Sequence, residues 1–164
     1  MKIALATDHA GFQLLQKLQT FLQSQGHECV NYGPTAFDAD DDYPDFIFPA
    51  ARAVAAGECE RAIIMGGSGQ GEAIAANRVK GIRAAVYYGA TAAQGAIDAE
   101  GNAAEDEFEI LRLSRQHNDA NILSLAARFL TEAQIEQAAR IWLDTPYSHQ
   151  ERHTRRIKKL DELE

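Results

Sequence analysis

Short apolar runs that alternate with stretches of helical periodicity constrain this chain more than any other feature. Lys2 to Thr7, Glu28 to Asn31, Arg61 to Met65, Arg83 to Tyr87 and Ile122 to Leu125 each have the length of a strand. Between the first two, Phe12, Leu15, Leu18 and Leu22 fall on one face of a helix running from Phe12 to Gln25. Strand–helix alternation of this kind makes neighbouring strands parallel and covers the sheet on both faces. Thr131-Glu132-Ala133-Gln134 is a capping-box pattern, which predicts a helix ending near Asp144, ahead of Pro146. A last helix is expected from about His149 to Leu163.

Two segments interrupt the alternation. Gly33 to Pro44 holds Asp38, Asp40, Asp41 and Asp42, too dense in acid for a core element, and reads as a loop. The second runs from about residue 95 to 109, is alanine-rich and acidic, and lengthens the connection between the fourth and fifth strands. Neither is a linker and no repeat divides the chain, so 164 residues with 46% hydrophobic content read as one domain, residues 1–164.

Charge narrows the range of partners. Sixteen basic against 24 acidic residues give a formal charge of -8, which disfavours nucleic acid and anionic membranes as partners. The cations that do cluster are in Arg152-His153-Thr154-Arg155-Arg156-Ile157-Lys158-Lys159. No run approaches the ~18 apolar residues of a membrane span, and Met1 leads directly into a strand-like segment, so a cytoplasmic location is expected. Cys29 and Cys59 are too few for a disulfide framework or a zinc site and read as packed thiols.

The chemistry-bearing stretch is Gly66-Gly67-Ser68-Gly69-Gln70-Gly71-Glu72, with four glycines in six residues after an apolar run. Such loops aim backbone N–H groups at anions. Gly66 and Gly71 have the spacing of a phosphate-binding P-loop, but Glu72 and Ala73 stand where a lysine and a hydroxyl would hold triphosphate and magnesium. The dinucleotide fingerprint started at Gly67 fails as well, because it needs glycine at position 72. The acid at the loop's end suggests a base beside an oxyanion. In an open parallel sheet, ligands bind at the carboxyl ends of strands, which places Asp8-His9 after the first strand beside this loop. His117-Asn118 lies just ahead of the fifth strand, and a lone histidine there is more often a cap or a surface residue. Arg152 and Arg156, four apart, share a helical face with His149 one turn earlier, a pairing suited to a phosphate monoester.

With these pieces in place the chain resembles the type B ribose-5-phosphate isomerases, within the wider ribose/galactose phosphate isomerase family. The resemblance is carried by Asp8-His9-Ala10-Gly11, Asp41-Asp42-Tyr43-Pro44, the run Gly66 to Asn77, Arg115-Gln116-His117-Asn118-Asp119-Ala120-Asn121 and Arg152-His153-Thr154-Arg155-Arg156, in that order. It implies a Rossmann-like three-layer sandwich, homodimeric or homotetrameric, with active sites shared between subunits and a C-terminal helix reaching the partner. It also implies aldose–ketose isomerisation of a sugar phosphate through a cis-enediolate, without metal or cofactor. One branch of the family uses a cysteine at the start of the glycine loop; Gly66 and Glu72 place this chain with the glutamate branch.

By that resemblance Glu72 is the base, Ser68 with the N–H groups of Gly67, Gly69 and Gly71 supports the enediolate, and Asp8 and His117 share ring opening and proton movement. His9, Arg152 and Arg156 match phosphate-binding residues. Asn118 and Arg128 match residues lining the site, and Tyr43 lies in a matching loop. Ribose 5-phosphate and ribulose 5-phosphate are the expected pair. The alternatives are the same chemistry on a tetrose or hexose phosphate, or a non-catalytic sugar-phosphate-binding protein. The acidic segment near 95–109 departs from the family pattern.

Overall fold

The computed structural model describes residues 1–162; Leu163, at the end of the expected last helix, lies outside the described residues. The elements are β1 (Lys2–Ala6), α1 (Phe12–Ser24), β2 (Glu28–Asn31), α2 (Pro44–Ala55), β3 (Arg61–Gly66), α3 (Gln70–Ala76), β4 (Ala84–Tyr87), α4 (Glu109–Gln116), β5 (Ile122–Ala126), α5 (Glu132–Asp144) and α6 (Glu151–Asp161). The strands form one five-stranded sheet in the order β2-β1-β3-β5-β4, with every neighbouring pair parallel.

Burial follows position in that order. Ile3 to Ala6, Ala62 to Gly66 and all of β5 are fully buried, because these strands are covered on both faces. The outer strands β2 and β4 are only partly covered. Their alternate residues feed two apolar layers. One packs Leu15, Leu18 and Leu22 of α1, Leu111 of α4 and Ile135, Ala138 and Trp142 of α5 against Ile3, Leu5, Ile63 and Leu123. The other packs Ile47, Ala50, Ala51 and Val54 of α2 and Ala75 and Ala76 of α3 against Ala4, Ala6, Ala62 and Ile64. The three-layer α/β sandwich expected from the alternation is therefore present.

α5 starts where the capping box predicts. The Thr131 side chain accepts from the Gln134 N–H at 3.3 Å, and Gln134 Oε1 accepts from the Thr131 N–H at 2.9 Å. Near the end of α5, Trp142 is fully buried and lies under two guanidiniums, those of Arg61 at 5.4 Å and Arg115 at 5.7 Å from its rings. Arg61 donates to the carbonyls of Trp142 and Leu143, and burial beside Arg115 lowers its pKa to about 10. Arg115 donates to the Ala120 carbonyl at 2.6 Å and to the Asp119 carboxylate at 2.8 Å. These bonds fix the turn that follows α4, and His117 with it.

Two boundaries differ from expectation. Glu109, expected at the end of the acidic segment, opens α4; it is buried and accepts from Arg112 at 3.3 Å. The last helix begins at Glu151 rather than near His149, because His149 has a left-handed backbone (φ 53°) that no α-helix accommodates. His149 is thus not a turn of the same helix as Arg152 and Arg156.

Candidate active site

From β1 the chain passes to β2 on one side of the sheet, and β3 lies on the other, so the order reverses between β1 and β3. Connections leaving the carboxyl ends of these two strands diverge and open a crevice between them. A cavity of about 460 Å³ occupies it, lined by Asp8, His9 and Ala10 after β1, Tyr43 at the start of α2, Gly67, Ser68, Gly71 and Glu72 around the α3 turn, and Arg128 and Phe129 after β5. A larger hollow of about 680 Å³ along Asn77 to Ala85, Asn118 and Asp161 holds neither the glycine loop nor its acid.

Glu72 is in the first turn of α3 and only 4% exposed. Its carboxylate fills the space that a side chain at position 66 would need: a Cβ built on Gly66 would lie 1.8 Å from Glu72 Oε1 and 2.5 Å from Oε2. Any residue larger than glycine at the loop's start and a carboxylate in this position exclude one another. Burial pushes the Glu72 carboxyl above its ordinary range; its own backbone N–H opposes that shift and neighbouring Asp8 adds to it. The result is a shielded carboxylate of raised basicity facing a cavity, the property a proton-abstracting base requires.

The loop is held open by contacts of its own. Gly69 adopts φ 73°, a left-handed conformation, with Leu125 and Ser124 3.1 Å from where its Cβ would stand, so only glycine fits. Buried Ser124 donates its hydroxyl to the Gly69 carbonyl at 2.6 Å. That serine braces the turn. The backbone N–H groups of Ala127 and Arg128 bond the carbonyls of Gly66 and Gly67, which ties the β5 turn to the loop and sets the Arg128 guanidinium against Gly67. Tyr43 covers Gly71.

Across the cavity, Asp8 accepts from the Ala10 N–H at 2.9 Å and is 6% exposed. His9 lies with Nδ1 2.7 Å from Asp41 Oδ1, and its backbone N–H donates to the same oxygen at 3.0 Å. Asp8, His9 and Asp41 bring potential metal-binding atoms within 4.8 Å of one another. His9 Nδ1 and Asp41 Oδ1 are already engaged with each other.

The remaining expected residues are elsewhere. His117 closes α4 and Asn118 follows, so both lie ahead of β5, at the opposite end of the strands from Glu72. From Ile122 to Ala126, β5 has five residues and four steps between them, roughly 13 Å at ~3.3 Å per step. There His117 stacks on His153 of α6 with ring centroids 4.0 Å apart, and Arg152 donates to His153 Nε2 at 3.1 Å. Arg152 also meets the Glu100 carboxylate of the acidic segment at 3.3 Å. Burial, then the charge of Arg152, push the His117 pKa below its usual value; Asp98 and Glu109 oppose that shift and Arg156 adds to it.

One chain thus carries two separated groups. Asp8, His9, Tyr43, Gly67, Ser68, Gly69, Gly71, Glu72 and Arg128 gather at one end of the sheet. His117, Asn118, Arg152 and Arg156 gather at the other. Sequence reading missed three contributors. Asp41 was visible as an acid of the loop and as part of the Asp41-Asp42-Tyr43-Pro44 motif, with no role attached to it. Phe129, 69% exposed at the cavity mouth, carried no signal. His153, 2% exposed beneath His117, read as part of a basic run.

The sequence profile of the ribose/galactose isomerase family matches residues 3–104 and 102–160. Ribose-5-phosphate isomerase B of Mycolicibacterium paratuberculosis is 37% identical over 164 residues, spanning 100% of this chain and 92% of that protein. Among solved structures, ribose-5-phosphate isomerase B of Clostridium thermocellum is similar with a TM-score of 0.84 and 36% identity, covering 99% of this chain and 96% of that one. The Mycoplasma genitalium ribose-5-phosphate isomerase B with bound ribulose 5-phosphate aligns with a TM-score of 0.82 and 32% identity, covering 98% and 93%.

Proposed function

The chain belongs to the ribose/galactose isomerase family, and on that premise we propose that it interconverts ribose 5-phosphate and ribulose 5-phosphate with Glu72 as the base, within the glutamate branch. The single observation that carries this reading is the buried Glu72 carboxylate seated against Gly66 and beside Asp8 in the crevice. Asp8 assists opening of the furanose ring. Glu72 then takes the proton from C2 of the open aldose; the C–H electron pair becomes the C1–C2 double bond, and the carbonyl electrons move onto O1. Ser68 and the loop N–H groups stabilise the resulting cis-enediolate, each good donor contributing about 3 kcal/mol. Protonated Glu72 returns its proton to C1, the O2–H electron pair forms the C2 carbonyl, and the O2 proton passes to O1, leaving the ketose. No oxidant or metal is required for this balance.

His117, Asn118, Arg152 and Arg156 enter from a second copy of the chain, with α6 reaching across. The opposite-end placement of the two groups supports this, since one protomer cannot bring both to one sugar. His117 moves protons on the sugar oxygens, and the two arginines join His9 at the phosphate. The whole chain acts as one isomerase domain in a homodimer or homotetramer whose sites are shared between pairs of chains.

Glu72→Gln should lower kcat by roughly 10²–10⁴-fold while substrate still binds, and it should abolish exchange of the C2 proton with deuterated water. Near-normal turnover in that variant would refute Glu72 as the base. A coupled assay on four-, five- and six-carbon sugar phosphates tests the substrate, and a preference for a length other than five overturns the ribose assignment.

A further inference from the structure

We infer that Asp41 is a positioning residue that holds the His9 ring as an imidazolium, with Nδ1–H on the carboxylate and Nε2–H presented to the substrate phosphate. The inference deepens the isomerase reading and rests on it for the phosphate. Asp41 binds His9 twice through one oxygen, from the ring at 2.7 Å and from the backbone N–H at 3.0 Å, so both the rotation and the tautomer of the ring are set. The Asp41 side chain is 8% exposed, and its Oδ2 is buried with no hydrogen-bond partner among the described residues. A carboxylate in that position is costly unless a cation faces it. His9 is the group that faces it, and its other ring nitrogen is left for the cavity it lines.

The charges around the ring point the same way. Asp8 Oδ2 lies 3.8 Å from Nδ1, Asp41 faces the ring from the loop before α2, and Arg128 faces it from the turn after β5; Glu72 lines the same cavity. Two carboxylates against one guanidinium leave room for one more positive charge. The hydrogen bond to Asp41 is the largest cause raising the His9 pKa above its usual value; burial and Arg128 oppose it, and Asp8 adds to it. A raised pKa means the cation is fully present at low pH and is lost as pH rises through the folded value. Phosphate binding should weaken over that same interval.

The test follows His9 directly in the full chain by long-range ¹H–¹⁵N NMR of the imidazole, in the native protein, Asp41→Asn and Asp40→Asn. Asp40 is an exposed acid of the same loop and controls for the general field. Asp41→Asn should lower the His9 pKa and release its tautomer, and inorganic phosphate should shift the native Nε2 resonance more than that of the variant. With ribose 5-phosphate, Asp41→Asn should raise KM about tenfold at pH 7.5, the worth of one charge-assisted hydrogen bond. Its kcat should stay within a factor of two, and the KM difference should close at acidic pH where both imidazoles are charged. Asp40→Asn should do none of this. An unmoved His9 titration in folded Asp41→Asn, or a KM change independent of pH, overturns the inference. Inactivity of the native protein on ribose 5-phosphate would instead refute the substrate reading, with the His9 titration still deciding the role of Asp41.

Discussion

At the scale of single residues, what Glu72 can do depends on what residue 66 lacks. The carboxylate occupies the volume of a side chain at that position, so Gly66→Ala should displace it by more than an ångström with little change elsewhere in β3. A misplacement of that size costs turnover about 10²-fold. Steady-state assay of Gly66→Ala, with circular dichroism to confirm the fold, checks this; unchanged kcat would mean that the reacting carbon does not meet Glu72 in its observed position. The acid itself was legible in the sequence, because it breaks both nucleotide-loop patterns at one letter. Its exclusion of a side chain at Gly66 was not, since it follows from the path by which α3 returns over the end of β3. The role of Asp41 was illegible for a related reason: the motif Asp41-Asp42-Tyr43-Pro44 marks the segment but not which of its acids folds inward onto His9.

At the scale of elements, boundaries set by local hydrogen bonds could be read from the chain and those set by remote contacts could not. The start of α5 is the clearest case of the first kind, since the Thr131 and Gln134 bonds lie within four residues of one another. Removing the cap with Thr131→Ala should cost about 1 kcal/mol and lower the melting temperature by roughly 2–4 °C, read by differential scanning calorimetry. Activity at 25 °C should be untouched, because α5 contributes buried packing around Trp142 and no cavity residue. The start of α4 is the opposite case. Glu109 looked like the end of an acidic excursion, but Arg112 and the burial of Leu111 draw it into the helix. The excursion itself reaches α6 through Glu100 and Arg152, a contact between residues that no local pattern relates.

At the scale of the whole molecule, the two groups of candidate residues lie at opposite ends of one sheet, and the proposed site therefore needs two chains. Mixing inactive Glu72→Gln with inactive His117→Ala should restore activity, because a hybrid dimer holds one site with both defects and one with neither. Random re-association predicts about a quarter of wild-type activity. No recovery from folded, dimeric variants would place the whole site in one chain. By itself the sequence determined the parallel α/β sandwich, since strand and helix periodicity are properties of neighbouring residues, and it determined the glycine loop with its terminal acid. The expectation that Asp8-His9 sits beside that loop also came from the sequence; only the tertiary structure decided that His9 is clasped by Asp41 and that His117 with Arg152 and Arg156 stands apart from Glu72. Strand order and the direction of each connection set those distances, and neither is written in local spacing.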